Sequence, residues 1–318
     1  MYCVRKMKTI LASAVAAIAT VAAAFALSTN FVTGAGQIAV AIDGQPFSIF
    51  YTGASYPKPF LAPLRSADGR VVTRGFPMEN VAGESRDHPH HRGLWIGYGN
   101  VSGVNFWENE FDYTTSNRGR MVTRETHTSG AGTIEGVFEW QDPQQRVMLE
   151  EHRVMKFAGS TDLRIIDFDV ELTAKQDVMF EDTKEGFFAI RVADSIAEKN
   201  GGVILNSRGD RTEKKVWGKR ADWVEYSGTV NGETVGITIL NQRTNFNSPA
   251  RWHVRAYGLF AANPFGVKDF DPSSTEAGGK HLAAGQSLRF RYRVIIHRGD
   301  RPMSEIGTWY AQYEQQNP

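Results

Sequence analysis

With 36 basic and 35 acidic side chains in 318 residues, the chain has a formal net charge of +1 and no electrostatic case for nucleic acid or an anionic membrane surface. Its one cysteine, Cys3, excludes an internal disulfide and a cysteine-ligated metal centre. No phosphate loop, dinucleotide fingerprint or Gly-x-Ser-x-Gly elbow occurs, so nucleotide chemistry and serine-hydrolase chemistry have no anchor here.

The chain opens on Met1-Tyr2-Cys3-Val4-Arg5-Lys6-Met7-Lys8, followed by an apolar run from Ile10 to Leu27 that contains Ala24-Phe25-Ala26. A basic start, an Ala/Val-rich middle and a small-x-small site make a secretory signal peptide over residues 1–27, with cleavage after Ala26 or nearer Gly34. The run approaches the ~18 residues of a spanning helix, so a retained anchor is the competing reading. Its Ala/Val composition favours removal. Cleavage takes Cys3 away and leaves 33 basic residues against 35 acids. The expectation is a periplasmic or secreted protein with one domain over 28–318 and no membrane insertion after processing.

Period-2 alternation dominates the rest of the chain. Strands are expected at 37–43, 47–52, 94–99, 121–128, 133–140, 146–157, 163–172, 187–192, 223–230, 234–240, 251–260 and around 290–296. In 163–172, Ile166, Phe168, Val170 and Leu172 alternate with Asp167, Asp169 and Glu171. Asn231-Gly232 between two alternating runs is the clearest hairpin signal. Only 303–315 reads as a helix, with Ile306, Trp309, Tyr310 and Tyr313 at helical spacing behind Pro302. Many strands, one helix and no βαβ rhythm predict an all-β fold, a large antiparallel β-sandwich with a C-terminal helix.

Three polar clusters could carry chemistry. The first is Glu84-Ser85-Arg86-Asp87-His88-Pro89-His90-His91-Arg92-Gly93, holding three of the eight histidines. Histidine suits proton transfer near neutral pH and also binds metals. Pro89 and Gly93 favour a loop that turns the imidazoles towards one cleft; surface histidines in a polar turn are the plainer alternative. His-Pro-His-His is no strong ligand signature, so no cofactor is expected, with a divalent metal at His88, His90 and His91 as the alternative. The second cluster, Phe180-Glu181-Asp182-Thr183-Lys184-Glu185-Gly186, suits a strand end facing a cleft or a solvated turn. The third, Arg251-Trp252-His253-Val254-Arg255-Ala256-Tyr257-Gly258 with Asn263-Pro264-Phe265-Gly266, sets donors beside an aromatic plate, as a sugar-binding strand would, or simply packs Trp252 and Tyr257 in the core.

At these clusters the chain resembles a bacterial family labelled "methane oxygenase PmoA". The stretches that carry the resemblance are Thr73-Arg74-Gly75-Phe76-Pro77-Met78, then Asp87 to Trp95, then Asp182 to Gly186, then Trp252 to Arg255 and Tyr257 to Gly266, within roughly 40–315. The membrane methane monooxygenase subunit spans the bilayer several times, whereas the mature chain has no spanning run. What the resemblance implies is a galactose-mutarotase-like supersandwich that binds or transforms carbohydrates in a concave groove.

The first functional expectation is an acid–base enzyme acting on a sugar or glycoside as epimerase, lyase or glycoside-cleaving enzyme. Glu185 is the expected base and His91 or His253 the acid. Arg86, Arg92 and Arg255 would hold substrate oxygens, with Asp87, His88, His90, Asp182, Trp252 and Asn263 completing the binding surface. Lys184 would lower the Glu185 pKa or touch the ligand directly. A non-catalytic carbohydrate-binding protein and a metal-dependent hydrolase are the alternatives.

Overall fold

The computed structural model describes residues 27–130 and 132–316. The expected signal peptide, Cys3 included, lies outside the described residues except for Leu27. In chain order the strands are β1 (Thr29–Gly34), β2 (Gln37–Ile42), β3 (Gln45–Tyr51), β4 (Phe60–Leu61), β5 (Leu94–Tyr98) and β6 (Arg120–Ser129). Then come β7 (Thr133–Gln141), β8 (Val147–Gly159), β9 (Leu163–Ala174), β10 (Val178–Phe180), β11 (Gly186–Arg191) and β12 (Val203–Asn206). A short helix α1 (Glu213–Val216) precedes β13 (Trp223–Val230), β14 (Glu233–Asn241), β15 (Arg251–Val254), β16 (Leu259–Asn263), β17 (Lys280–Leu282) and β18 (Ser287–Arg298). Helix α2 (Met303–Gln316) comes last.

Two eight-stranded antiparallel sheets result, in the orders β1-β2-β3-β4-β5-β11-β16-β15 and β12-β13-β14-β18-β9-β8-β7-β6, with β10 and β17 paired apart. The alternation that predicts the strands also decides how the sheets meet. On β9, Ile166, Phe168, Val170 and Leu172 are buried, and on β18 so are Phe290, Tyr292, Val294 and Ile296. These inner faces pack against those of the first sheet: Phe188 stacks on Tyr292 at 4.4 Å and Tyr226 on Phe260 at 4.6 Å. The fold is therefore all-β, a large antiparallel sandwich. Helix α2 lays Ile306 and Tyr313 on the outer face of the second sheet, against Trp223, Leu240 and Ile295.

One expected strand is corrected. Residues 251–260 are not continuous: β15 and β16 form a hairpin pairing Arg251 with Asn263 and Val254 with Phe260. The chain reverses over 255–258, where Gly258 has φ +102 and a Cβ would meet Val192 Cγ2 at 2.9 Å, a place only glycine fits. Strands β1, β4, β10, β12 and β17 have no counterpart among the expected elements; with two to six residues each, they are too short for alternation to register.

The outer face of the first sheet positions the polar clusters. Phe60, Trp95, Ala189, Ala261 and His253 stand directly opposite one another across β4, β5, β11, β16 and β15. Two alanines in mid-row leave space above the sheet, and Trp107 packs into it beside Trp95.

Candidate functional site

A cavity of about 500 Å³ opens at the His253 end of this row. Into it come His88, His90 and His91 from the first cluster, Lys184 and Glu185 from the second, and His253, Arg255 and Tyr257 from the third. Segments about 70 to 100 residues apart in sequence meet because β5, β11, β16 and β15 are neighbours in the sheet.

The histidine loop is held from behind by two buried arginines. Arg74 donates from Nη1 to the Asp87 carbonyl at 2.7 Å and to Asp87 Oδ1 at 3.0 Å, and from Nη2 to the His88 carbonyl at 2.9 Å. Arg191, on the outward side of β11, places Nη2 2.9 Å from Asp87 Oδ1 and donates to Ser85 Oγ at 3.2 Å. Ser85 in turn donates to Asp194 at 2.9 Å. Burial alone would push the Asp87 carboxyl up, but the His88 hydrogen bond and the Arg191 and Arg74 charges outweigh it and hold the pKa below the usual value. So many bonds fix a loop in which His88 has φ +45, a left-handed conformation that costs energy for a side chain of this size.

The partners of the two innermost imidazoles assign their protons. His253 Nδ1 lies 2.9 Å from the Lys184 carbonyl, which can only accept; Nδ1 therefore carries the hydrogen, and Nε2 bears the lone pair. That Nε2 is buried with no partner among the described residues. His91 is the reverse: Arg191 Nη1 lies 3.4 Å from His91 Nδ1 and can only donate, so the proton sits on Nε2. Burial, then the Arg255 charge, pushes His253 down to about 3, and burial with His90 and Arg191 holds His91 well below the usual range. Burial, followed by Lys58, takes His90 to about 2. Near-parallel rings run through the site, His91 on Trp95 at 5.2 Å, His88 on His91 at 4.8 Å and His88 on Tyr257 at 5.0 Å. Trp107 lies 5.8 Å from the His91 ring and 6.4 Å from that of His253.

These shifts carry a stability consequence. Groups whose folded pKa falls below the unfolded 6.5 favour the folded state fully above pH 6.5 and lose that contribution as pH drops towards the folded values, about 3 for His253 and about 2 for His90. The denaturation midpoint is expected to fall continuously from pH 6.5 to pH 4 in urea titrations, and His253→Gln should flatten that slope.

The acids complete the site. Glu185 Oε1 lies 2.7 Å from Lys184 Nζ, and its other oxygen is 3.8 Å from His253 Nδ1. Burial raises the Glu185 pKa, and the Lys184 hydrogen bond and charge work against that rise. Arg255 pairs with Glu213 at 3.1 Å and lies over the Trp217 ring at 3.9 Å.

Other expected residues stand elsewhere. Trp252 points to the opposite face, into the core, with Nε1 donating to the Ala221 carbonyl at 2.9 Å. Asp182 accepts the backbone N–H of Val267 at 2.6 Å and of Lys268 at 3.0 Å, clipping a neighbouring loop. Asn263 donates to the Thr183 carbonyl at 2.9 Å and accepts from Phe265 and Gly266, so it braces the Glu185 segment. Arg92 pairs with buried Glu110, its Nε 3.1 Å from Oε1, and Arg86 is exposed beside Asn80. The metal alternative meets imidazoles whose Nδ1 atoms face Asp87 at 2.8 Å (His88), Tyr113 at 2.8 Å (His90) and Arg191 at 3.4 Å (His91). Among the described residues, no group of three or more His, Cys, Asp or Glu is placed to hold a metal ion. Sequence pattern does not single out Arg74 and Arg191 as site residues, although Arg191 is conspicuous as the one charge closing an apolar strand.

A model described as "Family of unknown function (DUF6807)" matches residues 37–310. The chain belongs to the DUF6807 family. The span shared with DUF6807 includes every residue lining the cavity. No curated protein matches the chain in sequence. Among solved structures, it is similar to the family 36 α-galactosidase AgaA of Geobacillus stearothermophilus, at 11% identity and TM-score 0.40 over 86% of this chain and 41% of that one. It is also similar to the Lactobacillus brevis α-galactosidase, at 10% identity and TM-score 0.37 over 87% and 40% of the two chains. A candidate aldose 1-epimerase of Escherichia coli K12 matches at 12% identity and TM-score 0.32, over 86% of this chain and all of that one. The chain spans about two fifths of the α-galactosidases it matches. Among the described residues, no helix is long and apolar enough to cross a membrane.

Proposed function

We propose that this DUF6807 member is a carbohydrate-active enzyme that works by acid–base chemistry on a sugar or glycoside outside the cytoplasm. The observation that carries this reading is the pair of buried imidazoles held in opposite tautomers at one cavity, His91 offering Nε2–H and His253 offering an unpartnered Nε2 lone pair. A hydroxyl-rich ligand needs both a donor and an acceptor.

Glu185 is the base: a carboxylate whose pKa is raised by burial accepts a proton more readily than an ordinary glutamate. It takes a proton from a substrate O–H or C–H and, as the resulting carboxylic acid, returns that proton to the carbanion carbon or to the departing oxygen. His91, neutral, donates its Nε2–H hydrogen bond to the oxygen where negative charge develops, as a fixed dipole in a dry site. His253, too weakly basic at about 3 to hold the abstracted proton, orients a substrate hydroxyl by accepting from it. Arg74 and Arg191, both buried behind the cavity, keep His88 and His91 in place.

The test is to incubate the mature protein with a panel of glycosides and their 3-keto forms and to follow products by mass spectrometry. A new epimer, elimination product or free aglycone supports the reading. Binding without any product across the panel replaces it with a non-catalytic carbohydrate-binding role.

A further inference from the structure

The cavity's charges are matched within its own wall. Lys184 pairs with Glu185 at 2.7 Å and Arg255 with Glu213 at 3.1 Å. Of the other lining residues, Lys199 and Glu108, one of each sign, are exposed at the rim. His88 directs its Nδ1 proton at the Asp87 carboxylate, 2.8 Å away. The cations behind the site present no free face: Arg191 is fully buried, tied to Asp87, and covered by the Tyr257 ring at 4.5 Å. Besides the paired Glu185 carboxylate, the wall offers the ligand uncharged groups: the His91 N–H, the His253 lone pair and the Tyr257 phenol.

We infer that the ligand of this cavity is an uncharged sugar or glycoside, and that uronates, phosphosugars and amino sugars are selected against. This rests on the carbohydrate reading and narrows it. An anion entering the cavity meets the Glu185 carboxylate and finds its nearest cations already engaged, so it must break the Lys184–Glu185 or Arg255–Glu213 pair to gain a counter-charge. A cation meets the mirror-image cost at Lys184 and Arg255. Burying an ion without a partner is far more costly than burying a hydroxyl that finds a donor and an acceptor.

The experiment measures binding of matched methyl hexosides, methyl hexuronosides and 2-amino-2-deoxyhexosides in gluco, galacto and manno configurations to the mature protein, by calorimetry at 20 and 300 mM NaCl. At least one neutral hexoside should bind tenfold or more tightly than its uronic acid and amino counterparts, with affinity nearly independent of salt. In Glu213→Gln, which leaves Arg255 without its carboxylate, the uronoside should gain about tenfold on the neutral hexoside. A uronoside or amino sugar that binds wild type within threefold of its neutral partner overturns the inference and leaves the carbohydrate reading standing. No binding by any of the nine sugars overturns both.

Discussion

Glu185→Gln is expected to lower turnover by about 10²- to 10⁴-fold, the range for loss of a positioned general base, with little change in affinity. The substitution keeps the side chain's shape and its hydrogen bond from Lys184 Nζ, now 2.7 Å from Oε1, and removes only the ability to take a proton. In wild type, burial raises the Glu185 pKa above 4.5, so the base is lost to protonation at a higher pH than an ordinary glutamate. The kcat/KM profile should therefore rise with pH on its acid limb, with the inflection above 4.5, and that limb should vanish in Glu185→Gln. Burial takes His253 down to about 3, so it should add no inflection between pH 5 and 8. A wild-type limb that survives in Glu185→Gln would transfer the role of base to another group.

The largest effect on folding is expected at Glu151. This carboxylate is fully buried between the sheets, accepting from Trp140 Nε1 at 2.8 Å and from Arg153 Nε at 2.6 Å. The Arg153 guanidinium is itself buried, over the Phe138 ring at 4.8 Å. Glu151→Ala leaves that charge and the indole N–H inside the core without an acceptor and should cost about 3–5 kcal/mol in chemical denaturation. Replacing both partners, Glu151→Leu with Arg153→Met, removes the stranded charge and should cost far less than the single change. If the double variant is as unstable as Glu151→Ala, the loss is one of packing volume and not of charge.

Both sets of residues show how far local pattern reaches. The strand expected at 146–157 is present as β8, and alternation puts Glu151 and Arg153 on the same side as Leu149, Met155 and Phe157. Parity alone thus marks them as core-facing; it does not say that they satisfy one another or that Trp140 joins them. In the same way, the density of His88, His90 and His91 marks a site, and the segment Lys184-Glu185 marks a strand end. Neither shows that the two are neighbours.

From its own order of residues the chain determines an all-β sandwich, the Asn231-Gly232 turn between β13 and β14 and the C-terminal helix, because period-2 and period-3.6 burial and turn chemistry are local properties. The break of 251–260 into two strands is also local, but it hangs on one glycine whose positive φ is invisible until Val192 closes over it. The site is decided only by tertiary structure. Its floor is a row of five residues from five strands, set by register between segments far apart in sequence. The proton positions on His91 and His253 follow from Arg191 and the Lys184 carbonyl, and the exclusion of Trp252, Asp182 and Asn263 from the cavity follows from which face or loop each one braces. Residue types announce what chemistry is available; long-range strand pairing decides which of those groups share a cavity, because side-chain direction and neighbourhood in a sheet are set by register and not by sequence proximity.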